Sequence, residues 1–202
     1  METIQSIDDA PRRPFLHNSF ILGVVFTLLV AAADGLLVRV GMGRDLGRLA
    51  FMAVIDVVVI WLLAEPWRPS LRTLWMFAGG GVLGVCYFVV NYAQESLHIS
   101  GSSPVDYANY FASAVLIAPI YEEAIVRRWM FFGAAEWIGW SASALLVSAL
   151  FALTHSSIPL FAFMFSLGMC FLAWRGVKTL DRAVFHGSYN LILQGLFVFY
   201  GT

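Results

Sequence analysis

Residues 113–135 read SAVLIAPIYEEAIVRRWMFFGAA. Two carboxylates, Glu122 and Glu123, and two guanidinium groups, Arg127 and Arg128, stand close together between flanks that are almost wholly apolar. The flanks are long enough to continue a membrane-crossing helix, yet a charge inside lipid is costly and marks a functional position by default. Whether this stretch lies in lipid decides the fold, and the rest of the chain answers that.

Of the 202 residues 60% are hydrophobic and 12% are charged, against about 25% charged in a typical soluble domain. One soluble core of this size could not hide so much apolar surface. Apolar windows of about the 20 residues needed to span a bilayer fall near 17–40, 49–65, 71–94, 107–135, 137–156, 157–174 and 182–200. The runs are continuous rather than alternating, and lipid requires backbone groups to be satisfied within each segment, so helices are expected and a barrel is not. The expected fold is all-α, a polytopic transmembrane helix bundle of about seven spans. It forms one domain over 1–202, with a polar tail at 1–16 and a motif-bearing core at 107–200. The run FILGVVFTLLVAAADG behind Arg12 and Arg13 resembles a signal peptide, but the apolar stretch continues and a first span fits better.

Lys and Arg orient the spans. Arg12, Arg13, Arg68, Arg72, Arg175, Lys178 and Arg182 fall on one side and Arg39, Arg44 and Arg48 on the other. This predicts a cytoplasmic N-terminus and suits a bacterial plasma membrane. A net charge of −1 gives no electrostatic case for nucleic acid. Cys86 and Cys170 sit in apolar runs and read as small core residues. Gly79–Gly81 and Gly84 offer surfaces for close helix packing. Trp67, Trp137, Trp140 and Trp174 sit near span ends, where interfacial anchors belong. Asp34 and Asp56 lie inside spans, as helix–helix hydrogen bonders, protonated acids or parts of a polar cavity. His17 and His98 fall at interfaces.

Glu123 and Arg127, four apart, share a helix face and can pair, while Glu122 points about 100° away. Its partner comes from counting. A tight turn around 137–140 (WIGW) joins the fourth and fifth spans. Glu122 and His155, the end of FALTH, are about equally far from it, roughly 25 Å along each helix at 1.5 Å per residue. On the last span, His186 and Asn190 are four apart and face one way. A carboxylate beside an imidazole can deprotonate water, and a second His with an Asn can donate hydrogen bonds to an oxygen gaining negative charge. That combination describes amide hydrolysis by activated water, without a covalent intermediate. Glu and His are also legitimate zinc ligands, but HExxH is absent and Arg127 and Arg128 oppose a cation, so no metal and no cofactor is expected.

Glu122-Glu123-x-x-x-Arg127, Phe151-x-x-x-His155 and His186-x-x-x-Asn190, in that order on successive helices, resemble the three-motif signature of the CPBP family. This family comprises CAAX prenyl endopeptidases and bacteriocin-processing proteins, and is also called the abortive-infection family. The resemblance covers roughly 107–200. It implies a glutamic-type intramembrane endopeptidase in which Glu122 and His155 activate water and His186 and Asn190 bind the oxyanion. Glu123 and Arg127 would be supporting groups. Members often end the first motif with Phe-Arg-Gly; here it reads Val126-Arg127-Arg128, a departure that bears on helix packing and substrate choice. The expected partners are the lipid bilayer and a membrane-embedded or lipid-anchored peptide or protein. Two other readings of the same cluster are a non-catalytic scaffold or immunity protein of this fold, and a proton or metal-ion transporter using Asp34 and Asp56 as a relay.

Overall fold

The computed structural model describes residues 19–39, 46–63, 68–91, 108–109, 111–155 and 158–200. Among them are seven helices and no strand. We number them α1 (Ser19–Arg39), α2 (Leu46–Leu63), α3 (Leu71–Asn91), α4 (113–138), α5 (Trp140–Leu153), α6 (Pro159–Trp174) and α7 (Thr179–Tyr200). Each coincides with one of the apolar windows. The all-α bundle follows directly from that hydropathy pattern.

Two breaks set the path of the chain around the site. Gly139, at φ 78°, divides α4 from α5. That conformation is open to glycine and strained for other residues, so the WIGW turn is sharp and the two helices run back on each other. The second break ends α5 at Leu153, short of the expected 156. Pro159 starts α6 and disfavours a helical residue before it; Ile158 sits at φ −138°. His155 therefore lies just beyond the helix, its N–H bonded to the Ala152 carbonyl at 3.0 Å.

α4 is the axis of the bundle. Its side chains Tyr121, Ala124, Ile125, Val126, Met130 and Phe131 are buried against Ile55 of α2, Val147 and Phe151 of α5, and Ala162, Cys170 and Ala173 of α6. A smaller cluster joins α3, α6 and α7 through Tyr87, Phe165, Met169 and Tyr189. The glycine surface works as its composition predicts. A Cβ on Gly80 would collide with the Phe185 carbonyl, and one on Gly84 would stand 2.9 Å from the Tyr189 carbonyl, so these glycines let α3 and α7 approach backbone to backbone.

The exterior inverts the pattern of a soluble protein. Leu28, Leu29, Trp61, Trp75, Val90 and Phe199 are each at least 60% exposed, while Glu123 and Arg127 are fully buried. Large apolar patches of this kind mark a protein or membrane contact surface. Among the described residues Leu71–Asn91 is long and apolar enough to cross a membrane; Ser19–Ala33, Trp140–Leu153 and Pro159–Trp174 are shorter apolar stretches. Cys170 is buried as expected, but Cys86 is exposed on α3. Hydropathy alone cannot separate a lipid-facing position from a core one, because both are apolar.

Candidate active site

The site begins with an irregularity in α4. Its segments Ser113–Ile117 and Glu123–Phe131 are π-helical, with α-helix from Ala118 to Glu122 between them. Pro119 explains the first segment. The Ala118 N–H bonds to the Ser113 carbonyl, and the next residue along, a proline, has no N–H to offer the Ala114 carbonyl. Asn190 of α7 supplies the missing donor, its Nδ2 reaching Ala114 O at 2.7 Å. Gly187 makes the approach possible, since a Cβ there would collide with the Val115 carbonyl. Wide π turns occur often at functional sites, and this one draws α7 against α4 where the acidic pair follows.

Glu123 is fully buried and held by two guanidinium groups. Arg127 Nη1 stands 3.7 Å from its Oε1, and Arg182 Nε stands 3.1 Å from its Oε2. Arg182 also donates to the Glu123 carbonyl at 3.3 Å, to Thr179 Oγ1 at 3.4 Å and to the Val177 carbonyl. Arg182, one of the charges placed on the inner side by the sequence, is 2% exposed and sits inside the bundle.

Glu122 has a different environment. Its side chain is 19% exposed, and its Oε2 lies 3.7 Å from His186 Nδ1, beyond direct hydrogen-bond distance. The same ring nitrogen is 3.5 Å from Glu123 Oε1. Glu122 forms part of the wall of a cavity of about 520 Å³. Val24 and Leu28 of α1, Phe51 of α2, and Leu150 and Phe151 of α5 give most of that wall an apolar character, with Thr27, Ser113, Tyr121 and Thr154 among its polar members. Tyr121 donates to Thr27 Oγ1 at 3.2 Å, and Thr27 donates to the Gly23 carbonyl at 2.9 Å.

His155 enters from the end of α5. Its Nδ1 lies 2.9 Å from the Phe151 carbonyl. A carbonyl only accepts, so Nδ1 carries the proton and a neutral ring keeps its lone pair on Nε2. Thr154 Oγ1 donates to the same carbonyl at 2.7 Å. The imidazole stacks on the Phe151 ring with centroids 4.3 Å apart, and that ring also receives the Arg127 guanidinium at 4.4 Å. Phe151 thus links the first two motifs physically. Arg127 and Phe151 lie equally far on either side of Gly139, as an antiparallel hairpin requires.

Glu122, Glu123, Arg127 and His186 form one contiguous cluster. His155 connects to it through Phe151, and among the described residues its contacts are to Phe151 and Thr154 rather than to a carboxylate. Asn190 shares a helix face with His186 but is engaged with α4 main chain. Sequence reasoning missed Arg182 as a member, although it precedes His186 by the same four-residue spacing that pairs Glu123 with Arg127. Asp56 is 4% exposed, and its Oδ1 makes no hydrogen bond among the described residues. Trp67, His17, His98 and the Asp34 side chain lie outside the described residues.

Residues 104–192 match the family model described as type II CAAX prenyl endopeptidase, Rce1-like, the same family that the three motifs resemble. No curated protein and no solved structure matches the chain.

Proposed function

We propose, taking the Rce1-like match of residues 104–192 as the premise, that the chain is an intramembrane endopeptidase of the glutamic type. Glu122 and His155 activate water. Glu122 accepts a proton from water while the His155 Nε2 lone pair orients the other hydrogen; the resulting hydroxide attacks the substrate carbonyl. His186, with an Nδ1–H turned to the two carboxylates, donates from Nε2 to the developing oxyanion as the imidazolium, the form in which both ring nitrogens are donors. Asn190 adds a second donor through the Nδ2 hydrogen not used on Ala114. Collapse of the tetrahedral intermediate returns the Glu122 proton to the leaving amide nitrogen, and no acyl-enzyme forms. Glu123 and Arg127 position the site without entering the chemistry.

The observation that carries this reading is the contrast between adjacent acids. Glu123 is neutralised by Arg127 and Arg182, while Glu122 faces a cavity and, among the described residues, has His186 rather than a guanidinium as its ion-pair neighbour. The substrate is a membrane-embedded or lipid-anchored peptide, because apolar side chains of α1, α2 and α5 make up most of the cavity wall beside Glu122. The enzyme resides in a bacterial plasma membrane with its N-terminus in the cytoplasm.

In detergent or proteoliposomes, purified protein is expected to cleave membrane-anchored tail peptides. Glu122→Gln and His155→Ala each lower the rate by about 10²–10⁴-fold, the usual range for a lost general base, while remaining folded. Chelators leave cleavage unchanged. Cleavage that stops on chelation and returns with added metal contradicts the glutamic mechanism.

A second reading draws on Asp56. Asp56 is 4% exposed and its Oδ1 makes no hydrogen bond among the described residues, so it is a buried acid of the kind a proton relay with Glu122 uses. Proton flux through liposomes that is lost in Glu122→Gln and Asp56→Asn, with no peptide cleaved, is the result that favours it.

A further inference from the structure

Arg182 reaches the site from outside the three motifs, and its guanidinium is shared between two parts of the chain. On α4 it grips both the carboxylate and the main-chain carbonyl of Glu123, the residue where the helix passes from α to π. On the other side it holds the Val177 carbonyl and Thr179 Oγ1, in the turn that delivers α7. His186 stands one helical turn beyond Arg182 on the same face, with Nδ1 3.5 Å from the other Glu123 oxygen. Arg127 also contacts Glu123, but from the same helix, so it cannot fix α4 relative to α7. Arg182 can, and a guanidinium suits the task because its planar fork serves several acceptors at once, where an ammonium acts as a compact point charge.

We propose that Arg182 is a positioning residue of the site. It locks Glu123 to the base of α7 and thereby sets the spacing between Glu122 and the His186 ring. It touches neither substrate nor the reacting water. Only the kinetic arm of the test rests on the peptidase reading; the placement of His186 can be read without any substrate.

The experiment compares wild type with Arg182→Lys, using protein labelled with ¹⁵N in its histidine rings and assigned with His155→Gln and His186→Gln. In Arg182→Lys the His186 ring signals are expected to shift or broaden. The His155 signals stay in place, because their contacts run to Phe151 and Thr154, and the thermal midpoint moves by no more than a few degrees. With a cleavable peptide, Arg182→Lys lowers kcat by about 100-fold at near-constant KM, the scale of loss for a misplacement of about 1 Å. Glu123→Gln/Arg182→Gln is expected to be no slower than the worse single variant, as for residues acting through one pair.

Unmoved His186 signals overturn the proposal. So does a common shift of both histidines with collapse of the midpoint, which would make Arg182 a general structural residue. Should Arg182→Lys fail to fold, Thr179→Val removes one acceptor of the fork outside the Glu123 pair. A smaller shift confined to His186 then supports the proposal, and no shift overturns it. If the wild type cleaves no peptide, the peptidase reading fails while the His186 signal still decides the role of Arg182.

Discussion

Two glutamates adjacent in sequence show how environment divides labour between identical side chains. Arg127 is fully buried with Glu123 as its ion partner, and removing one partner of such a pair leaves an uncompensated charge at a cost of about 3–5 kcal/mol. Glu123→Gln, which takes the carboxylate from Arg127 and Arg182 together, is therefore expected to lower stability far more than Arg128→Met, which a denaturation series in detergent would measure. Asn190 has an obligation of its own. Asn190→Ala leaves the Ala114 carbonyl without its donor, an expected loss of about 1–3 kcal/mol. A thermal melt should detect this alongside any loss of activity; an unchanged melt would mean that another group satisfies that carbonyl. The residue types and spacings at 122, 123, 127, 155, 186 and 190 were legible in the sequence, because unpaired polar groups do not persist among apolar helices without a reason. Arg182 was not, because an arginine near a predicted span end looks like a loop charge until its acceptors are visible.

The helices themselves were legible, since seven apolar runs separated by polar turns leave little choice in lipid. Their irregularities were not. The first π segment of α4 depends on Pro119 meeting a carboxamide from α7, a contact between segments far apart in sequence. The early end of α5 was readable in principle from Pro159, yet the apolar run 137–156 hides it. The α3–α7 seam gives an element-scale prediction. Gly80→Ala should cost about 1–3 kcal/mol, as overpacking does, because its Cβ would meet the Phe185 carbonyl. Gly81→Ala should be tolerated, since the nearest neighbour of its Cβ is the Ile192 side chain at an ordinary 3.5 Å. Equal melting midpoints for the two variants would contradict close packing at Gly80.

For the molecule as a whole, charged groups inside and aliphatic groups outside make sense only if the surroundings are apolar. Cys86 and Cys170 report on this, one exposed on α3 and the other buried. In proteoliposomes a bilayer-soluble maleimide is expected to modify Cys86 and spare Cys170, and a membrane-impermeant maleimide to modify neither. Labelling of Cys86 by the impermeant reagent would place that face of α3 in water. On the proposed reading the bundle serves one purpose, to keep Glu122 as a water-activating acid beside an apolar cavity within lipid. The most direct test is cleavage of a library of membrane-anchored peptides by reconstituted wild type and by Glu122→Gln, run in ¹⁸O-labelled water. The wild type should release a product carrying one ¹⁸O in its new carboxyl group, and Glu122→Gln should release it about 10²–10⁴-fold more slowly. Equal product from both proteins would contradict the assignment of Glu122 as the base.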